Sequence, residues 1–151
     1  SSPTVLNNIF TATSTGSATI GVDEGCGTCD PSRLESNLFD DGAGVLDTLY
    51  RDEGVTSLTA IADVNAMTDI DVTPANDAGA PSFAQTSDPT GGDYFRIGAG
   101  SAAIDAGQDA ALLDLNGDGA PDAAIMSDID GDSRPAGVAF DTGADEDREL
   151  E

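Results

Sequence analysis

The residues best suited to chemistry lie between Asp114 and Asp132, where six aspartates and one asparagine fall within nineteen residues. A calcium loop of the EF-hand type takes oxygen ligands at positions 1, 3, 5, 7 and 9 and needs glycine at position 6. With Asp114 as position 1, Gly119 is position 6. The ligand positions are then occupied by Asp114, Asn116, Asp118, the carbonyl of Ala120, and Asp122. This spacing predicts a bound Ca²⁺ ion.

The predicted loop lacks one usual ligand, because position 12 is Ile125 instead of a bidentate glutamate. Asp128, Asp130 and Asp132 are the nearest carboxylates that could replace it if the chain turns back after the loop. A site without the bidentate ligand should bind weakly, with a Kd of about 10⁻⁴ to 10⁻³ M. The alternative is that this stretch is a solvated turn rich in Asp and Gly.

The charge of the whole chain limits its partners. There are 29 acidic residues against five arginines, with no lysine and no histidine, for a formal net charge of −24. Such a field repels phosphate, so we expect no nucleic-acid partner. Self-repulsion should also cost stability unless calcium or high ionic strength offsets it, and adaptation to high salt would explain the same composition.

The two cysteines form a single CGTC motif at Cys26 and Cys29. Without histidine or a second cysteine pair, a four-ligand zinc site is unsupported. Pro31 and the surrounding Gly and Asp favour a loop over the helix start that a thioredoxin-like motif needs. We predict a local disulfide formed in an oxidising compartment, with a free or catalytic pair as the alternative.

The first third of the chain repeats itself at a shift of 29 residues. NNIF at residues 7–10 recurs as SNLF at 36–39, and VDEG at 22–25 recurs as RDEG at 51–54. The units contain short β-prone runs, at 4–10, 18–22, 34–39 and 45–50, with a weaker third unit through 56–64 and 69–72. No helix longer than two turns is expected, and residues 105–113 are the one stretch that suggests a helical turn. A period of this length indicates stacked coils, in which Asn8 and Asn37 would bond to each other at a bend or would otherwise be ordinary turn residues.

The composition of the chain changes at Pro81, after which turn clusters and Asp-Gly pairs dominate. We predict one domain, with β-helix coils in residues 1–80 and a capping segment in residues 81–149 that covers the last coil. Residues 150–151 are interpreted as a cloning remnant.

The segments SF (82–83), GDYFRI (92–97), GSAAIDAG (100–107), DIDGDSRP (128–135) and DTGADE (141–146) resemble, in this order, the C-terminal end of secreted right-handed parallel β-helix proteins of the pectate-lyase-like superfamily. The DLNGDGAPD insertion is similar to the calcium loops of thrombospondin type 3 repeats and dockerins. The resemblance implies an all-β fold, a right-handed parallel β-helix of a few coils with an irregular calcium-binding cap. It also implies a piece of a larger protein, secreted or at the cell surface.

Three functions remain open. The leading prediction is a non-catalytic, calcium-binding end of a β-helix that serves adhesion or contacts a polysaccharide or cell-surface glycan. Alternatively, the chain ends a polysaccharide lyase or glycoside hydrolase whose active site lies upstream, or it is a purely structural stalk or cap. The sequence has no histidine and no nucleophile motif, and no 18-residue apolar run that would insert into a membrane.

The arginines have simpler explanations than catalysis. We expect Arg33 and Arg51 to form surface ion pairs with nearby acids, such as Asp30 and Asp52. Arg134 is predicted to pair with Asp105, Asp141 or Glu146 and to hold the tail onto the coils, which would make the Asp128 to Asp132 segment structural.

If the loop binds calcium, chelation should lower the Tm of the protein. At a calcium concentration ten times the Kd, the bound ion would stabilise the fold by about 1.4 kcal/mol. Asp118→Ala should abolish the difference between calcium and chelator in a thermal melt, whereas Asp69→Ala, outside the loop, should keep it. A wild-type Tm that is unchanged by chelation would contradict the prediction.

Overall fold

The computed structural model describes residues 2–12, 18–42, 45–84, 86–87, 90, 95–109, 127–128 and 131–147. Within these ranges the chain is built mostly of short strands, with a single four-residue helix. The elements are β1 (Thr4–Leu6), β2 (Ile9–Phe10), β3 (Ile20–Asp23), β4 (Arg33–Glu35), β5 (Leu38–Phe39), β6 (Thr48–Asp52), β7 (Thr56–Leu58), α1 (Ile61–Val64) and β8 (Asp77–Ala78). The prediction of a strand-rich fold is confirmed.

Parallel pairing places the second unit of the repeat beside the first. The three sheets have the orders β1-β4, β2-β5-β8 and β3-β6-β7. Ile9 lies opposite Leu38, which reproduces the predicted shift of 29 residues. In the third sheet, however, Asp23 lies opposite Arg51, a shift of 28. The match between VDEG and RDEG is therefore out of register by one residue, because the connection between β2 and β3 is one residue longer than that between β5 and β6.

The NNIF and SNLF motifs share a backbone bend. Asn7 and Ser36 both adopt left-handed conformations, with φ of 54° and 49°, and each ends one strand just before the next begins. Left-handed φ is uncommon outside glycine, but asparagine tolerates it comparatively well. After the bend, successive side chains point to opposite faces of the sheet, as in any strand. The motif thus encodes a corner followed by one side chain on each face.

The two faces of the middle sheet enter two different hydrophobic clusters. Phe39 belongs to the main core and stacks on Phe10 of the preceding unit, with ring centroids 4.9 Å apart. Leu38 points the other way and packs against Ile97 and Ala103 of the tail. The main core comprises Leu34, Phe39, Leu49, Tyr50, Val64 and Ile70. The tail therefore covers the outer face of the same sheet whose inner face forms the core.

The third unit only partly follows the repeat. Asp71 forms a parallel bridge with Arg33, as stacking of residues 69–72 predicts. Residues 56–58, in contrast, pair antiparallel with β6, and residues 61–64 are helical, so that part of the prediction is wrong. The cause is the turn after β6, where Glu53 and Gly54 have φ of 51° and 72° and reverse the chain into a hairpin. Of the helical turn predicted at 105–113, residues 105–109 are described and are not helical, and residues 110–113 lie outside the described ranges.

Asparagine side chains connect the stacked units at the bend. The Oδ1 atom of Asn37 accepts hydrogen bonds from the backbone N–H of Asn8 at 2.9 Å and from its side-chain amide at 3.1 Å. Asn37 repeats the arrangement with Asn76, donating from its N–H and Nδ2 to Asn76 Oδ1 at 3.1 and 2.9 Å. Asn76 in turn donates to Oδ1 of Asn65. The predicted bond between Asn8 and Asn37 is confirmed, and we call the four residues the asparagine ladder.

Replacing the central rung should cost more than replacing the end rung. Asn37 is fully buried, so Asn37→Ala would leave the N–H of Asn8 and the carbonyl of Val5 without their partner. We expect the free energy of unfolding to fall by about 2–4 kcal/mol, against about 1 kcal/mol or less for Asn8→Ala at the exposed end. Urea unfolding measures both. Equal losses for the two variants would show that the ladder does not act through burial.

Candidate metal site and the C-terminal ion pair

The predicted calcium ligands fall into two groups. Asp114, Asn116, Asp118, Ala120, Asp122 and Asp130 lie outside the described residues. Asp128 and Asp132 are described, and they face each other across a short turn closed by an antiparallel bridge between Ser127 and Ser133. The calcium loop at 114–122 therefore remains a prediction.

The carboxylate of Asp128 organises this turn. Its Oδ1 accepts the backbone N–H of Asp132 at 2.8 Å, and its Oδ2 accepts the N–H of Glu146 at 3.4 Å. Asp128 is buried, so these bonds compensate for the loss of water around its charge. The described residues contain no group of three or more His, Cys, Asp or Glu side chains arranged to hold a metal ion. The described hydrogen bonds of Asp128 go to backbone N–H groups, and its role as a calcium ligand stays a prediction.

Arg134 lies at the centre of the tail and is buried. Its Nε donates to Oε1 of Glu146 at 2.6 Å, and its Nη2 donates to the backbone carbonyls of Asp141 at 3.0 Å and Gly143 at 3.3 Å. The guanidinium also lies over the Phe140 ring, 5.6 Å from its centroid. One guanidinium thus gathers three carbonyl or carboxylate oxygens and an aromatic face, an arrangement that suits its planar set of donors better than the compact ammonium of lysine.

Of the three predicted partners of Arg134, Glu146 is the carboxylate that forms the ion pair. Asp141 contributes its backbone carbonyl to Arg134, while its carboxylate accepts the N–H groups of Asp105 at 2.7 Å and Asp147 at 2.6 Å. Asp105 accepts the N–H of Ala139 at 2.7 Å. These acids therefore act mainly on the backbone of the tail.

Burial dominates the electrostatics of Asp141. Loss of water raises the pKa of its carboxyl, and the hydrogen bonds from Asp105 and Asp147 lower it in part. The charges of Glu146 and Asp105 raise the pKa further. The tail thus holds several acids close together, and its internal hydrogen bonds offset their repulsion only in part.

Hydrogen bonds attach the tail to the first two units of the repeat. The side chain of Asn7 donates to the carbonyl of Gln108 at 2.7 Å and accepts the N–H of Gln108 at 2.8 Å. The N–H of Gly143 donates to the carbonyl of Asn7 at 3.0 Å, and Thr142 Oγ1 donates to the carbonyl of Ser36 at 3.3 Å. The bends of the NNIF and SNLF motifs are therefore the docking points of the tail.

An open groove of about 1250 Å³ runs between the first unit and the tail. Its apolar lining includes Leu6, Ile9, Phe83 and Phe95. The two phenylalanine rings meet edge to face, with centroids 5.0 Å apart, and Phe95 is 42% exposed. The polar lining consists of Ser2, Thr4, Asn7, Asn8, Thr11, Ser127, Asp128 and Arg134. The groove combines an exposed aromatic ring with amide and hydroxyl groups.

The remaining predictions of side-chain pairing divide as follows. Cys26 and Cys29 form the predicted disulfide. Arg51 forms a surface ion pair, with Asp23 as its partner. Arg33 pairs with Glu35, and the distance from Arg33 Nε to Glu35 Oε1 is 2.6 Å. Because Glu35 is fully buried, the prediction of a surface pair is wrong for Arg33.

Of the three buried glutamates among the described residues, sequence reasoning singled out Glu146 but not Glu35 or Glu24. Burial raises the pKa of the Glu35 carboxyl, while the hydrogen bond and charge of Arg33 lower it. The sequence did contain a signal for this ion pair, because residues two apart in a strand lie on the same face, where Arg33 and Glu35 can pair. What the sequence does not reveal is that this face becomes buried.

Comparisons with known proteins add no family. Protein-family models, curated proteins and solved structures all give no match to this chain. The resemblance to pectate-lyase-like β-helices therefore stays a prediction. In the part of the chain that the structure describes, no helix is long and apolar enough to cross a membrane.

Arg134→Ala should destabilise the protein strongly, because it would leave Glu146 charged and buried without its partner. We expect a loss of about 3–5 kcal/mol in the free energy of unfolding. Arg134→Lys keeps the charge but cannot reach both carbonyls, so its loss should be intermediate.

Arg51→Ala is the matched control, because it removes an arginine from the exposed pair with Asp23. Its unfolding midpoint in urea should stay near that of the wild type. If Arg134→Ala unfolded at the same midpoint as Arg51→Ala, the central role of the buried ion pair would be wrong.

Proposed function

We propose that this chain is the non-catalytic C-terminal end of a right-handed parallel β-helix in a secreted or cell-surface protein, stabilised by calcium and in contact with carbohydrate. The stacked parallel strands and the asparagine ladder support the β-helix. The aromatic groove supports the carbohydrate contact. The calcium ion rests on the spacing of residues 114–122 alone.

The observation that carries the proposal is the difference in burial between the two units of the repeat. Leu34, Phe39 and Tyr50 in the second unit are fully buried. Their counterparts in the first unit are opposite them in the sheets but are only half buried. These counterparts are Val5, Phe10 and Val22. Another coil stacked on the first would bury them by the same contacts that bury the second unit.

The asparagine ladder supports the same extension. Asn8 donates to Asn37 Oδ1 and to the carbonyl of Leu6. Within the described ranges, no donor reaches Oδ1 of Asn8. An asparagine in a preceding coil would bond to that oxygen just as Asn8 bonds to Asn37. In this proposal, the first unit is an internal coil whose neighbour is supplied by the rest of the protein.

The groove suits a neutral sugar better than an acidic one. Ligand sites combine apolar and aromatic walls with a few polar groups that fix orientation, and a sugar ring offers both a C–H face and hydroxyls. Phe95 and Phe83 provide the apolar wall, and Ser2, Thr4 and Ser127 provide hydroxyl groups. The net charge of −24 would repel a polyanion such as pectin. We therefore assign the groove to neutral glycans.

Binding to an array of neutral oligosaccharides, followed by calorimetry on any hit, tests this function. Phe95→Ala should weaken binding about tenfold, the equivalent of ~1.4 kcal/mol for one aromatic contact. Val138→Ala should bind normally, since Val138 is 92% exposed and does not line the groove.

The other outcomes separate the remaining functions. If no glycan binds, the carbohydrate contact is wrong and a structural stalk or cap is favoured. If a longer polypeptide with upstream coils cleaves a polysaccharide that this segment cannot cleave, the chain is the end of an enzyme. If Phe95→Ala and Val138→Ala weakened glycan binding equally, the groove would not be the binding site.

A further inference from the structure

A buried carboxyl group next to the disulfide has an oxygen that the structure leaves without a hydrogen bond. Glu24 follows β3 and is 5% exposed. Its Oε2 accepts a hydrogen bond from the Tyr50 hydroxyl at 2.9 Å. Its Oε1 is also buried and has no hydrogen-bond donor among the described residues. A buried acceptor without a donor costs about 1–3 kcal/mol, so this oxygen calls for a missing partner.

The disulfide loop brings a second carboxyl group to Glu24. The Cys26–Cys29 bond closes the loop with the two Cα atoms 5.3 Å apart. The N–H groups of Thr28 and Cys29 both donate to the Cys26 carbonyl, at 2.8 and 2.9 Å. The loop returns the chain to Asp30, whose carboxyl interacts with the Glu24 carboxyl and raises its pKa.

The other groups around Glu24 are also acidic or neutral. Tyr50 and Asp52, both on β6, act on the Glu24 carboxyl. Glu53 lies against the loop at Gly27, where an added Cβ would come 2.8 Å from Glu53 Oε1. Two further carboxyls, those of Asp30 and Asp52, therefore act on the buried one. Two carboxyl groups in contact cannot both stay ionised without a positive charge between them.

A proton meets this need better than a metal ion. Calcium takes six to eight oxygen ligands, and the described residues include no group of three acidic side chains arranged for a metal. A proton needs only the two oxygens, since one carboxyl becomes the O–H donor to the other. We propose that Glu24 and Asp30 share one proton and that the disulfide keeps them together. Mild acid then stabilises this part of the protein.

The direction of the pKa shift of Glu24 agrees with a shared proton. Burial raises the pKa of Glu24, the hydrogen bond from Tyr50 lowers it, and Asp30 and Asp52 raise it. Because the folded pKa lies above the ordinary value of 4.5, the contribution of the pair to stability is complete below about pH 4.5. It disappears as the pH rises through the folded pKa. Loss of the disulfide would release Asp30 and remove the same contribution.

The test is the Tm of the intact chain between pH 8 and pH 5, at high constant salt and with chelator present. The wild-type Tm should rise on acidification by roughly 3 °C or more beyond the rise of Glu24→Gln, whose amide does not titrate. Asp30→Asn, at a half-buried position, should lose the same pH dependence of the Tm. It replaces Glu24→Gln in the test if Glu24→Gln does not fold. A Cys26→Ser, Cys29→Ser double variant should lose it too.

Asp63→Asn is the control, because it removes one exposed aspartate on α1 and should keep the wild-type slope. The proposal is overturned if Glu24→Gln and Asp30→Asn keep the wild-type slope. It is also overturned if calcium added at pH 8 raises the Tm of the wild type but not of Glu24→Gln, since the pair would then hold a cation. If the double cysteine variant kept the full pH dependence of the Tm, the disulfide would not be needed to hold the two carboxyls together.

Discussion

The asparagine ladder is the constraint on which the rest of the fold depends. The strands are only two to five residues long, so each sheet offers few backbone hydrogen bonds to fix its register. Each ladder rung adds two bonds, from an N–H and an Nδ2 to one Oδ1, and repeats them on the next level. Because an amide has both donors and an acceptor, the same side chain serves the level above and the level below. A carboxylate at these positions would lack the donor.

The ladder also determines where the tail can attach. The residues that precede Asn8 and Asn37 adopt left-handed conformations and turn their backbone carbonyls outward, where Gly143 bonds to Asn7 and Thr142 to Ser36. With the bends fixed, Leu38 points away from the main core and supplies the apolar surface on which Ile97 and Ala103 pack. The same short motif therefore positions the inner core, the corner and the outer cluster.

The buried acids show how a chain with 29 carboxylates and five arginines can fold. Few of its carboxylates can pair with a cation, so the buried ones must find other donors. Asp128, Asp141 and Glu146 all accept backbone N–H groups of the tail, and Arg134 is placed where one cation reaches Glu146 and two carbonyls. Aspartate suits this role because its short side chain caps nearby N–H groups.

The sequence predicted the parts of the fold that repeat and missed the parts that depend on a reversal. The match of NNIF with SNLF predicted both the register of the middle sheet and the bond between Asn8 and Asn37. The apparent third unit failed because one turn at Glu53 and Gly54 sends β7 back along β6, and a local turn outweighs a weak repeat. Arg134 was identified, but the choice of Glu146 over Asp105 depended on tertiary distances that spacing alone does not encode.

The two ends of the stack differ in burial, and this difference bears on the proposed function. At the lower end, the hairpin and α1 bring Leu58, Ile61 and Met67 against the core, and Asn65 ends the ladder. At the upper end, the side chains of the first unit stay half exposed. The tail contacts the first unit from the side, through Asn7 and the outer face of β2, so a coil stacked above would not displace it. In the proposed assembly, growth of the stack is therefore compatible with the attached tail.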